Sequence, residues 1–325
     1  MAKILITGGA GLIGSHTTRT LLDRGHEVIV FDCFHQYVYP VQATFLENMR
    51  YRFEVLLKGA RVVRGLTGSK DDMRRQIQDV KPDYVIHLAA LPLANIAVRN
   101  SDEAFQAIVQ GTVNLLEILR DLGGLETFVY VSSSMVYGDF DQVPMPEDGR
   151  KEPKEIYGGM KLSGEILTSV FSKRYDIPHV IVRPSAVYGP TDNNRRVVQV
   201  FLENAIKGLP LKVGNPNTCL DFSYVEDVAD GIALATVSEK STNQVFNITR
   251  GEGRTLNDLL CILEKVFPGL NVEIETGDEA FRPIRGALDV SKARQLLGYD
   301  PRVSLEEGVD RYLKFMRDKN VSLFQ

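Results

Sequence analysis

The chain has 325 residues, 44% of them hydrophobic and 25% charged, with a formal net charge of −4. This length holds one large or two medium domains with a full core. No block of basic residues points to nucleic acid, and no apolar run approaches the length of a membrane span. The first apolar run is short and leads straight into glycines, so no secretory leader is expected. The three cysteines, Cys33, Cys219 and Cys261, are odd in number and far apart. They read as free thiols of a reducing, cytoplasmic compartment, with no disulfide frame. Five scattered histidines give no support to a metal site.

In chain order, Lys3 to Thr7 reads as a short buried strand, followed by Gly8-Gly9-Ala10-Gly11-Leu12-Ile13-Gly14. Gly9, Gly11 and Gly14 have the G-x-G-x-x-G spacing of a dinucleotide-binding turn. One glycine allows the turn, one lets backbone approach a pyrophosphate, and one lets helix pack on strand. The helix that follows, expected over Ser15–Arg24 and closed by Gly25, would offer its free N–H groups to phosphate. Glu27–Phe31 reads as the second strand, and Asp32 follows it. An acid there accepts hydrogen bonds from an adenosine ribose and repels a 2′-phosphate, which selects NAD over NADP.

Residues 33–42 carry aromatics without a period and read as a loop near the adenosine. Helices are expected over Ala43–Leu57 and Asp71–Val80, with strands at Arg61–Arg64 and Pro82–Leu88. Phe105, Ile108, Val109, Thr112, Leu115, Leu116 and Leu119 make one helical stripe that ends at Gly123-Gly124. A strand at Phe128–Val131 leads into Ser132-Ser133-Ser134. A long helix is expected over Lys154–Arg174 and a strand over Ile177–Val182. The alternation implies an α/β fold: a Rossmann-type doubly wound parallel sheet with a smaller C-terminal α/β substrate domain. Further helices are expected at Val197–Lys207, Val225–Val237, Leu256–Phe267, Lys292–Leu297 and Leu305–Met316. Strands at Leu211–Val213, Val245–Ile248 and Val272–Ile274 lie among them. The expected division is 1–183, rejoined by 220–248, for NAD, and 184–219 with 249–325 for substrate.

Among the 12 tyrosines only Tyr157 has a lysine four positions on, Lys161. On a helix the two share a face, and an ammonium there would favour the phenolate. Such a tyrosine can remove a hydroxyl proton while NAD accepts hydride from the same carbon. Ser133, at a strand end, would bind the same oxygen. A surface pair on an amphipathic helix has the same spacing, and the glycine motif upstream weighs against it. His87, Tyr137 and Tyr188 are expected to be structural.

These landmarks, with His87-Leu88-Ala89-Ala90, Ser132-Ser133-Ser134-Met135-Val136-Tyr137-Gly138, Arg183-Pro184, Val187-Tyr188-Gly189-Pro190, Asp221-Phe222 and Asp227, resemble the extended short-chain dehydrogenase/reductases over essentially the whole chain. The similarity is to their NAD-dependent nucleotide-sugar epimerase/dehydratase group. The resemblance implies a tightly held NAD contacted by Gly8, Gly11, Leu12, Ile13, Gly14, Asp32, Leu88, Ala89, Ala90, Tyr157 and Lys161. It implies oxidation at sugar C4, with Tyr157 as base, Lys161 as its activator and ribose ligand, and Ser133 orienting the hydroxyl. The nucleotide-diphosphate sugar would meet Ser133, Ser134, Arg195, Arg282 and Arg285. It also implies a homodimer through helices near 102–121 and 154–174.

The dehydratases follow the catalytic serine or threonine with Asp-Glu, whereas this chain has Ser134-Met135, and the decarboxylases carry a glutamate where Met135 stands. A 4-epimerase is therefore expected. A 4-dehydrogenase releasing the keto sugar is the nearest rival, and an NAD-sensing regulator without catalysis is the other. Four positions depart from the family: Gly65-Leu66 for Gly-Asp, Ile108 and Ala186 for asparagines, and Leu220 for an arginine. Arg195, Arg196, Arg282 and Arg285 are the candidates to replace the lost diphosphate contacts.

Overall fold

A computed structural model describes the chain except Pro92, residues 276–281 and residue 325. The first half alternates strand and helix. It runs β1 (Lys3–Thr7), α1 (Leu12–Asp23), β2 (Glu27–Asp32), α2 (Ala43–Tyr51), β3 (Arg61–Arg64), α3 (Lys70–Val80) and β4 (Tyr84–His87). Then come α4 (Ala94–Arg99), α5 (Ser101–Phe105), α6 (Gly111–Leu122), β5 (Thr127–Val131), α7 (Ile156–Tyr175) and β6 (His179–Arg183). The second half holds β7 (Val187–Tyr188), α8 (Val197–Ile206), β8 (Leu211–Val213), β9 (Cys219–Asp221), β10 (Ser223–Tyr224), α9 (Val225–Val237) and β11 (Gln244–Asn247). It ends with β12 (Gly253–Thr255), α10 (Leu256–Val266), β13 (Val272–Ile274), α11 (Ser291–Leu297) and α12 (Leu305–Lys319).

Seven strands form one sheet in the order β11-β6-β5-β4-β1-β2-β3, and every pairing in it is parallel. Its central strands are buried along their length, which is why they read as apolar runs without alternation. One apolar layer under α1 and α9 joins Ile4, Ile6, Val30, Val129 and Val182 to Ile232 and Phe246. The opposite layer joins Leu5, Phe31, Phe128 and Tyr130 to Ile77 and Leu115. A separate core packs α8, α10 and α12 around Leu202, Leu259, Tyr312 and Leu313. Ala293, Leu297 and Tyr299 join the first layer, so α11 packs against the main sheet rather than with its sequence neighbours.

The expected element boundaries mostly hold to within about three residues, and the start of α1 is an informative shift. Helix α1 starts at Leu12 rather than Ser15, so Leu12, Ile13 and Gly14 are its first turn. The N-cap is Gly11, which has no side chain to mark the start. Two π-helical turns, Arg52–Leu56 after α2 and Gln106–Gln110 before α6, are embedded in what the periodicity presents as single helices.

Candidate active site

The carboxyl ends of β1, β2, β4 and β5 open into one cavity of about 650 Å³. Crevices of open parallel sheets lie at this end of the strands. Gly8, Gly11, Leu12, Ile13 and Gly14 wall it from the turn after β1, and Asp32 from the end of β2. Leu88, Ala89 and Ala90 follow β4, while Ser133, Ser134, Tyr157 and Lys161 face them from β5 and α7.

The glycines are needed at this spacing because backbone meets backbone. Gly8 sits at φ +71°, and a Cβ there would lie 2.7 Å from the Ala89 nitrogen. A Cβ on Gly14 would lie 2.3 Å from the Gly8 oxygen. Gly9 instead makes room for Val30, so the positive-φ turn falls to Gly8, one residue before the motif's first glycine. Asp32 Oδ2 accepts from the Ala10 nitrogen at 2.9 Å and Oδ1 from Phe34 at 2.8 Å. The acid that faces the cavity thus also braces the loop. Burial raises its pKa, and those backbone donors oppose the shift. Bare backbone, a helix N-terminus and an acid at the neighbouring strand end fit a dinucleotide.

Helix α7 presses closely onto β5. A Cβ on Gly164 would lie 2.0 Å from Tyr130 Oη, and one on Gly158 2.5 Å from the Met135 oxygen. This brings Tyr157 beside the end of β5, where it and Ser133 line the same cavity. Ser133 Oγ accepts from the Met135 nitrogen at 3.2 Å. Lys161 Nζ donates to the Val131 carbonyl at 2.8 Å and stands 5.9 Å from the Tyr157 ring centre.

Contrary to the expectation from their spacing, Lys161 does not lower the Tyr157 pKa. Burial pushes the phenol up to about 12, and the opposing influences are Arg196 and the Ser133 hydrogen bond. The same burial pulls Lys161 down to about 7, against the pull of Glu165. Glu165 is in turn gripped by Arg183 through two bonds of 2.8 and 2.6 Å, both side chains being buried.

His87 is structural, as expected. Thr112 donates its hydroxyl to the Ile108 carbonyl, so it accepts from His87 Nε2 at 3.1 Å. Nδ1 is then free to accept from Thr7 Oγ1 at 2.7 Å. Burial depresses its pKa to about 3, so the ring is neutral. Tyr137 donates to Asn247 and accepts from Arg183, and Tyr188 packs against Phe222 and Tyr224.

The substrate-side expectations divide. Arg285 lines the cavity, its Nη1 reaches Met135 Sδ at 3.4 Å, and its buried Nε has no hydrogen-bond partner among the described residues. Ser134 lines the cavity while its hydroxyl donates to Ser185 at 3.0 Å. Arg195 does not reach the cavity, because Glu203 holds it at 3.1 Å. Arg282 is exposed and also lies outside the lining. Its neighbour in sequence to Arg195, Arg196, takes the cavity position, paired to Asp192 at 2.8 Å. Ala186 lines the cavity at φ +36°.

Arg52 and Asn193 were not legible from the sequence, yet both line the cavity. Arg52 stands on a π-helical turn that the helical period does not announce. Asn193 sits in a loop with no pattern. Among the described residues no group of three His, Cys, Asp or Glu is placed to hold a metal, and no helix is long and apolar enough to cross a membrane.

A model of the NAD dependent epimerase/dehydratase family matches residues 4–249. An uncharacterised UDP-glucose epimerase of Bacillus subtilis is 30% identical over 97% of this chain and 98% of its own. A UDP-glucuronate 4-epimerase of Arabidopsis thaliana is 28% identical over 96% of this chain and 74% of its own. The crystal structure of UDP-glucuronic acid 4-epimerase from Bacillus cereus, in complex with UDP-glucuronic acid and NAD, superposes with a TM-score of 0.87. It is 30% identical and covers 97% of this chain and 99% of that one.

Proposed function

The chain belongs to the NAD dependent epimerase/dehydratase family, and from that premise we propose how its residues carry out NAD-dependent 4-epimerisation of a nucleotide sugar. The observation that carries the reading is Tyr157, with Ser133 and Lys161, in the same cavity as the glycine loop. Bound NAD supplies a hydride acceptor and donor at C4, and a positive charge in the site. With that charge favouring its phenolate, Tyr157 would take the C4 hydroxyl proton as the carbon becomes a ketone, and return it after the sugar has presented its other face. Ser133 holds the C4 oxygen against the phenol. Lys161, fixed by the Val131 carbonyl and lining the same cavity, would bind ribose.

Neither Ser134 nor Met135 can exchange protons usefully near neutral pH, so this chain has no acid–base pair there to expel water from the sugar. The names of the relatives support a UDP-hexose or UDP-hexuronate as substrate. Arg285 and Arg196 are the cations that would meet its charge. Residues 1–183 with 220–248 would then hold NAD, and 184–219 with 249–325 the sugar nucleotide. Three free cysteines support a cytoplasmic setting. Exposed Ile166 and Val170 on α7 and Phe105 at the end of α5 support a homodimer through these helices.

Tyr157→Phe tests the assignment. We expect turnover to fall about a thousandfold with NAD content unchanged. A variant that holds NAD and keeps full activity contradicts it.

A further inference from the structure

The loop that brings Asn193 and Arg196 into the cavity is held by side chains of α1, α2 and the π-helical turn after α2. His16 of α1 donates through Nε2 to the Pro190 carbonyl at 3.2 Å. Asn48 of α2 donates to the Asp192 carbonyl at 3.2 Å and to Asn193 Oδ1 at 2.8 Å. Arg52 donates through Nε to Thr191 Oγ1 at 3.2 Å and through Nη2 to the Thr191 carbonyl. Its third group, Nη1, donates at 2.8 Å to the carbonyl of Ala10, in the glycine loop.

Two features make this grip more than packing. Thr191 is fully buried and adopts φ +72°, a conformation that a β-branched residue holds only when its surroundings impose it. Arg52 is buried too, and among the described residues none of its hydrogen bonds goes to a carboxylate. Burial lowers its pKa to about 10, with Asp192 and Asp32 opposing from a distance. A planar guanidinium spans two acceptors on different segments as one rigid fork, so a shift of one is passed to the other.

We propose that Arg52 is a positioning residue that joins the dinucleotide loop at Ala10 to the sugar-side loop at Thr191, so that filling the dinucleotide site fixes residues 191–196 for the sugar nucleotide. The last clause rests on the nucleotide-sugar reading. The coupling itself does not, and linkage makes it reciprocal: whatever orders the 191–196 loop tightens the dinucleotide by the same factor.

Amide hydrogen exchange of 191–196, with and without NAD, tests this in the wild type, Arg52→Gln and Arg52→Lys. In the wild type NAD should slow exchange about tenfold, a typical coupling. Both variants should still bind NAD, measured by release on denaturation, yet slow exchange less than about twofold, because a lysine is a point charge without the fork. If Arg52→Gln does not fold, Arg52→Lys carries the comparison alone. Equal protection in variant and wild type overturns the proposal, as does a wild type in which NAD leaves these amides unchanged. Exchange needs no turnover. A chain that shows the coupling but epimerises nothing would lose its function reading and keep this one.

Discussion

Tyr157 and Lys161 stand one helical turn apart, yet the ammonium donates to the Val131 carbonyl and lies 5.9 Å from the phenol ring centre. The cation that opposes the burial of the phenol in the ligand-free site is Arg196. Ring-¹³C tyrosine NMR of NAD-free protein, assigned with Tyr157→Phe, should place Tyr157 near pH 12. Arg196→Met should move it higher, and Lys161→Met should leave it in place. A large rise on loss of Lys161 alone would show that the lysine sets the phenol directly. The spacing of Tyr157 and Lys161 was visible in the sequence because four residues make a helical turn whatever surrounds them. The burial that reverses the sign of the shift depends on Gly158 and Gly164 pressing α7 onto β5, which no local pattern reports. Arg195 and Arg196 show the same limit. Adjacent residues point apart, one to Glu203 and one into the cavity.

At the scale of elements, the glycine turn and α1 form one unit, since Gly14 closes over the Gly8 carbonyl. Gly14→Ala would put a methyl 2.3 Å from that oxygen, so the turn must open. We expect NAD affinity to fall at least tenfold, on the order of 1.4 kcal/mol, read by titration calorimetry. Retained affinity would mean that the turn tolerates the shift. Buried parallel strands and amphipathic helices were legible because burial imposes apolar runs and a 3.6-residue period. Val225–Val237 and Leu211–Val213 fall where the pattern put them. The strands Val187–Tyr188 and Ser223–Tyr224 did not register, because two residues carry no period. Nor did the π-helical turn that sets Arg52, whose partner Thr191 lies 139 positions away.

At the scale of the whole molecule, buried neutral histidines set the acid limb of stability. Burial holds His87 at about 3 and His16 at about 4, against a usual 6.5. Between pH 6.5 and about 4 the unfolded chain therefore binds more protons, and stability falls with pH. Asp221 works the other way, since burial raises its carboxyl to about 6 and the native state takes up its proton first. Burial also lowers the pKa of His26 and His179 and raises those of Asp32, Glu147, Glu155, Glu226 and Asp227. Only the histidines have their usual pKa inside the window from pH 7 to pH 5, so they dominate there. Urea midpoints should fall from pH 7 to pH 5, and His87→Gln should flatten that slope. A midpoint that rises toward pH 5 would contradict this balance. The proposed assembly has its own test in Ile166→Glu with Val170→Glu, two residues that are each 56% exposed. The double variant should sediment as a monomer with NAD retained, while the wild type sediments as a dimer. A monomeric wild type would remove the proposal.

In a 4-epimerase, oxidation and reduction at C4 both occur within one site. Proton NMR of the purified protein with UDP-glucose and UDP-glucuronic acid, and no added cofactor, tests it most directly. A C4 epimer should accumulate over many turnovers, because the hydride returns to the sugar it came from. A single stoichiometric burst of keto sugar, with reduced nicotinamide left on the protein, would contradict it and mark a dehydrogenase that needs an external oxidant.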